Sequence, residues 1–203
     1  MKDVFERIYR TDHWKGGSGE GSAYAPNKPY VAFLQAFLAR RRVRSVVDLG
    51  CGDWQFSQHI DWRGVAYDGF DLVDAVQARN RAAFGSATVR FHAAVEDWDA
   101  LPAADLLIAK DVLQHWSNAR IAAFLPVLER YPAALITNCI GDYGPPLNSD
   151  VKDGAFRPLD IRRSPFAVAA EEVLRYGHVR RRFRVFGKDL GWQKAVLLVE
   201  GAG

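Results

Sequence analysis

Two glycines and an aspartate stand together in VVDLGCGDW, residues 46–54. The apolar run 46–49 reads as a short buried strand. Gly50 and Gly52 follow at its carboxyl end, where an open α/β sheet carries its ligand loop. Glycine there lets the backbone approach a ligand and adopt dihedrals that other residues resist. The next segment, WQFSQHI (54–60), is helix-compatible, and a helix N-terminus behind the loop would favour an anionic group. The dinucleotide fingerprint G-x-G-x-x-G fails at its third glycine, which is Gln55. No GxxxxGK[ST] phosphate loop occurs. Asp48 could accept hydrogen bonds from an ammonium or from loop amides, which suits a zwitterionic amino-acid ligand better than pyrophosphate. Asp71 ends a second apolar run, GVAYDGFDL (64–72), 21 residues after Gly50. A carboxylate at that strand tip is placed to hold a ribose diol; the alternative role is a helix N-cap.

The surrounding pattern supplies the elements that must position these groups. An amphipathic helix is predicted over 29–41, with Val31, Phe33, Leu34, Phe37 and Leu38 as its buried stripe. A helix over 74–84, strands over 87–95 and 104–112, a helix over 118–131 broken near Pro126, and a strand over 132–140 follow in turn. Strands alternating with helices imply a parallel sheet covered on both faces. Residues 141–166 form a long irregular stretch rich in aromatics and prolines, and loops of that length are usually functional or disordered; its composition favours an ordered one. Two final strands, 181–186 and 195–199, are expected to form a hairpin at the sheet edge. Residues 1–29 differ from the rest: a short helical segment with Val4, Phe5, Ile8 and Tyr9, then a Gly/Ser-rich stretch with embedded aromatics. They are expected to be an arm or lid on a domain spanning 30–203.

With DLGCGDW and YDGFDL in that order, residues 30–200 resemble a class I S-adenosylmethionine (SAM)-dependent methyltransferase. IYR…W…GSGEGS, VVDLGCGDWQFS, KDVLQHWSN and FRPLDI…PF extend the resemblance to a set of small bacterial methyltransferase-like proteins over nearly the whole chain. The resemblance implies an α/β, Rossmann-like three-layer sandwich with a seven-stranded, mostly parallel sheet and an antiparallel last strand. It implies SAM as cofactor, S-adenosylhomocysteine (SAH) as product, and cofactor contacts at Asp48, Gly50, Cys51, Gly52, Trp54, Asp71 and Leu72. The residues after the third strand would meet adenine: Asp97, preferred over Glu96, as the acid, and Trp98 as a ring cover. The fourth strand runs into Lys110, Asp111, Gln114, His115 and Trp116, the family's active-site rim, with Lys110 and Gln114 as cofactor contacts.

Methyl transfer is an in-line displacement, so alignment and exclusion of water matter most. A base is needed only where the acceptor must lose a proton. His115 is the candidate base, since imidazole titrates near neutrality; orientation of ligands and a structural role remain open. Asp111 is a candidate second polar wall, or a partner of Lys110. Arg157 could offer its fork to an anionic acceptor or pair with Asp160. Asn138, at the fifth strand's tip, faces the expected pocket. Tyr9 and Trp14 of the arm are candidate acceptor contacts, and the amides of GSGEGS (17–22) could bind an anion or close as a lid.

Composition narrows the class. The chain has 203 residues, 49% apolar and 25% charged, with a net charge of +3. Its two cysteines, Cys51 and Cys139, are too few for a disulfide scaffold and suggest a reducing compartment, so a cytoplasmic location is expected. No signal peptide, membrane span or metal site is expected. The arginine runs at 40–44 and 180–184 suit a helix C-terminus and an edge strand, so nucleic-acid binding is disfavoured. The expectation is a methyltransferase acting on the O or N atom of a small polar acceptor. An RNA or protein methyltransferase and a non-catalytic SAM-binding protein are the rivals. Oligomeric state is undetermined.

Overall fold

The computed structural model describes residues 2–14, 16–95, 97–141, 144–185 and 188–201, with side chains described for all of these except residues 20 and 178–192. Glu96 and the side chains of the 180–184 arginine run therefore lie outside the described residues. The helices are α1 (Lys2–Arg10), α2 (Tyr24–Arg41), α3 (Asp74–Phe84) and α4 (Asn118–Phe124). The strands are β1 (Ser45–Leu49), β2 (Ala66–Asp71), β3 (Val89–Ala93), β4 (Leu106–Lys110), β5 (Ala133–Cys139), β6 (Glu171–Val185) and β7 (Lys188–Glu200). They form one sheet in the order β3-β2-β1-β4-β5-β7-β6. The first five run parallel, and β7 is antiparallel to both β5 and β6. This is the expected Rossmann-like sheet with a reversed last strand.

Successive residues of a strand point to opposite faces, and both faces here are apolar. Val46, Leu106 and Leu135 face a core with Tyr30, Leu34 and Phe37 of α2. Val47, Leu107 and Ile136 face a second core with Ile121 and Phe124 of α4. That is why the central strands are continuous apolar runs rather than alternating ones. α2 begins at Tyr24, five residues before the predicted start, and Pro29 lies inside it. It ends where Arg42 turns left-handed, at φ 53°, and its N–H returns to the Leu38 and Ala39 carbonyls.

The segment after β1 differs from expectation. Residues 54–60 form no α-helix, only a single 3-10 turn over Ser57–His59. Trp54 has φ 61°, which no α-helical residue can adopt. Its indole is inserted among Trp62, Tyr67, Phe84 and Phe91. Burial of that ring overrides local helix propensity, so no helix N-terminus stands behind the glycine loop. The break near Pro126 is present: α4 stops at Phe124 and a 3-10 turn spans Leu125–Arg130. β6 is much longer than predicted and carries register shifts near Glu172 and between Val179 and Arg184. The described part of 141–166 holds neither helix nor strand, yet it is pinned. Asn148 Nδ2 donates to the Asp160 and Ser164 carbonyls at 2.9 Å, and Leu159 N donates to Cys139 O at 2.8 Å.

Candidate active site

Strand order reverses between β1 and β4, and a ligand crevice in such sheets lies beyond the carboxyl ends at that point. A cavity of about 270 Å³ occupies it. Its floor and sides come from the loops after β1, β2, β3 and β4: Gly50, Gly52, Asp71, Leu72, Val95, Trp98, Lys110, Asp111 and His115. Its cover comes from the N-terminal arm through Phe5, Tyr9, Trp14, Ser18, Gly19, Gly21 and Ser22.

The glycine loop has the geometry that its sequence demands. Gly50 and Gly52 have φ of 74° and 54°. A Cβ on Gly50 would come within 2.3 Å of Val112 Cγ2, and one on Gly52 within 2.5 Å of Ser18 Oγ. The second contact ties the loop to the arm. Ser18 Oγ accepts from Asp53 N at 2.8 Å, and Ser18 N donates to Asp53 Oδ2 at 3.0 Å. Tyr9 hydrogen-bonds the same Ser18 hydroxyl, and Gln55 Nε2 donates to Gly16 O at 2.9 Å. Burial pushes the Tyr9 hydroxyl far above its usual pKa, so it stays neutral. The amides expected to nest an anion are partly spent: Gly17 N donates to Asp12 Oδ1 at 3.4 Å, and Ser18 N to Asp53 Oδ2 at 3.0 Å.

Asp71 lies on the cavity wall and clasps its own loop, its oxygens accepting from Gly52 N at 3.0 Å and Val73 N at 3.1 Å. A carboxylate has about four lone-pair sites, so two remain for a diol. Burial raises its pKa, against these amide bonds. At the β4 exit, Asp111 adopts φ 60°. Its Oδ2 accepts from Lys110 Nζ at 2.6 Å and from Lys194 Nζ of β7. Burial alone would raise the Asp111 pKa, but Lys110 and Lys194 overcome it and hold it at about 2. Burial lowers Lys110 to about 7 against the pull of Asp111. Its Nζ also donates to Gly21 O at 3.0 Å, so the cluster anchors the arm as well. His115 packs under Trp14, ring centres 5.4 Å apart. Burial lowers its pKa to about 4, with Asp111 opposing, so the imidazole is neutral at pH 7.

Tyr9, Trp14, Gly50, Gly52, Asp71, Leu72, Trp98, Lys110, Asp111 and His115 thus converge on one cavity. The remaining candidates do not line it. Asp48 is buried behind the loop, accepting from Tyr67 Oη at 2.6 Å, and burial raises it to about 6. The Cys51 thiol is buried and accepts from Gln77 Nε2 at 3.4 Å. Trp54 lies in the core, as described. Asp97 caps a 3-10 turn by accepting from Asp99 N at 2.9 Å. Gln114 and Asn138 tie the β4 exit to β5: Gln114 Oε1 accepts from Cys139 N, and Asn138 Oδ1 from Gln114 N. Arg157 is fully buried and donates to Leu113 O and Asn118 Oδ1 rather than to Asp160. Asp160 pairs with Arg162 instead.

The sequence alone missed Ser18, whose role depends on a contact 35 residues away. It also missed Phe70 and Arg120 on the wall. Arg120 had one legible signal: it follows Trp116 by four residues, a spacing that brings side chains together near a helix start.

The cavity suits an adenosyl amino acid. Two left-handed glycines bring the backbone to one end, Asp71 offers lone pairs beside it, and Phe70, Leu72, Val95 and Trp98 give an apolar bed for a planar ring. The O-methyltransferase domain family matches residues 31–145. No curated protein sequence is significantly similar. Among solved structures, the chain resembles the Burkholderia thailandensis 1,6-didemethyltoxoflavin N1-methyltransferase bound to its substrate and SAH, with TM-score 0.66, 18% identity, and 98% and 87% of the two chains covered. It also resembles the SAH-bound magnesium protoporphyrin IX methyltransferase of Synechocystis PCC 6803, with TM-score 0.61, 14% identity and both chains covered fully. A third likeness is the structure reported for conversion of a disulfide into a thioacetal group in echinomycin biosynthesis: TM-score 0.61, 20% identity, 99% and 93% covered. The fold, the cavity and the matched domain together place this chain in the O-methyltransferase domain family, as a SAM-dependent methyltransferase of the class I fold.

Proposed function

We propose that this chain methylates a hydroxyl group of a small polar acceptor enclosed beneath its N-terminal arm. The observation that carries this is the single cavity that joins the Gly50–Gly52 loop and Asp71 at one side to His115, Asp111 and Trp14 at the other. Bound SAM supplies an electrophilic methyl group on a sulfonium sulfur. In this reading Gly50, Gly52, Asp71, Leu72, Trp98 and Lys110 hold the cofactor, and Trp14 and Tyr9 cover the acceptor. Neutral His115 accepts the hydroxyl proton at an imidazole nitrogen as the acceptor oxygen gains its methyl group, and the Asp111 carboxylate, whose charge opposes the effect of burial, favours the imidazolium so formed. Residues 1–29 act as the lid. At about 270 Å³ the cavity is at the lower edge of the roughly 300–1,000 Å³ of small-molecule sites, which supports an arm that opens to admit ligands. Its enclosure favours a small molecule over a macromolecule, and the chain's two free cysteines, Cys51 and Cys139, suit the cytoplasm.

The test is an SAH-release assay on a panel of phenols, sugars, amines and carboxylic acids, with wild-type protein and His115→Ala. Turnover of a hydroxyl acceptor, lost in the variant while SAH affinity persists, supports the proposal. Turnover confined to amines, or untouched by His115→Ala, refutes the base assignment.

A further inference from the structure

Arg120 lies in the first turn of α4 and on the cavity wall. Its guanidinium carbon is 4.9 Å from the ring centre of Trp98 and 4.8 Å from that of Trp116. Two indoles therefore pack against the group. It makes no hydrogen bond or ion pair with any described residue, and its Nε is buried without a partner. Asp153 exerts an attraction on it, but Asp153 Oδ1 already accepts from Ser117 N at 2.7 Å. The other lysine or arginine on the described wall, Lys110, is paired with Asp111.

A guanidinium carries five N–H donors in a rigid fork. Cation–π contact with two rings leaves all five unspent. A partly buried guanidinium with no hydrogen-bonded counter-charge among the described residues is costly, and burial lowers the Arg120 pKa against the attraction of Asp153. A ligand oxyanion in the cavity would remove that cost and meet a fork already oriented for bidentate contact.

We propose that Arg120 binds an anionic group, a carboxylate or phosphoryl oxyanion, on the methyl acceptor. The substrate class is then a small hydroxylated acid rather than a neutral compound. This rests on the methyltransferase reading above. Arg120 takes the role that was one of two open readings for Arg157.

The test uses full-length protein saturated with SAH, titrated with benzoate, phenyl phosphate and uncharged benzamide by ligand-observed NMR. Benzoate or phenyl phosphate should bind about tenfold more tightly than benzamide, the scale of one charge-assisted hydrogen bond. The better of the two identifies the oxyanion. That preference should vanish in Arg120→Met and survive in part in Arg120→Lys, with SAH affinity within about threefold of wild type in both. Equal binding of the three probes to wild type would overturn the proposal. So would a preference that Arg120→Met retains. A tenfold loss of SAH affinity in Arg120→Met would assign the arginine to the cofactor and overturn it as well. If Arg120→Met does not fold, Arg120→Gln takes its place in the same comparison. Failure of SAH to bind wild-type protein would instead refute the methyltransferase reading itself.

Discussion

Gly52→Ala should uncouple the arm from the glycine loop. The backbone there has φ 54°, and left-handed dihedrals cost an L-residue about 1–2 kcal/mol. The stiffer unfolded chain offsets roughly 0.4–1 kcal/mol of that. The new methyl would sit 2.5 Å from Ser18 Oγ and 3.2 Å from Ser18 Cβ, so Ser18 must leave. Its departure breaks the reciprocal pair with Asp53, at 2.8 and 3.0 Å. One of these bonds is neutral and one goes to a carboxylate, together about 2–4 kcal/mol. Gly52→Ala should therefore destabilise the protein by roughly 3 kcal/mol in urea unfolding. It should also raise the hydrogen-exchange rate of the Ser18 amide. In a Ser18→Gly background the clashing atoms are gone, and the same change should cost only about 1 kcal/mol. The cycle predicts a coupling of roughly 2 kcal/mol between Ser18 and Gly52, which are distant in sequence and in contact in the fold. Additivity within about 0.5 kcal/mol would refute the seating of the arm on the loop.

Three further outcomes follow from the site. His115→Gln should lose a pH dependence of stability. The folded-state pKa is lowered from 6.5 to about 4, so the unfolded chain binds more protons between those values. Wild type then gains stability relative to the variant as pH rises from about 4 to 6.5, and parallel pH profiles of the two would contradict that. Arg157→Met should destabilise by about 3 kcal/mol, because it removes buried bonds to Leu113 and Asn118; an acceptor-specific rise in KM at unchanged stability would contradict its internal role. Gly50→Ala should be partly rescued by Val112→Ala, since the added Cβ meets Val112 Cγ2 at 2.3 Å. Chemical denaturation of the single and double variants checks this.

The sequence and structure agree where a feature depends on neighbours in the chain. The central strands announce themselves as apolar runs because both of their faces are buried, and α3 spans the residues its pattern predicts. The glycine loop and Asp71 are legible because strand tip, turn and carboxylate recur at a fixed spacing. Residues 54–60 mislead because the Trp54 ring packs into a core formed by later strands and forces a left-handed backbone. The places of Arg157 and Arg120 are illegible in the sequence for the same reason. An arginine in an irregular stretch looks available until Leu113 and Asn118 close around it. One in an ordinary helix looks solvated until two indoles turn it toward the cavity.

The central claim is that the cavity beneath the arm binds an adenosyl amino acid through Asp71. Calorimetric titration with SAH, with NAD as a control, on wild-type protein and Asp71→Ala tests it most directly. SAH should bind wild type with micromolar affinity, NAD should give no response, and the variant should lose at least about tenfold in SAH affinity. Undiminished SAH affinity in a folded Asp71→Ala protein, or no SAH binding to wild type, would contradict it.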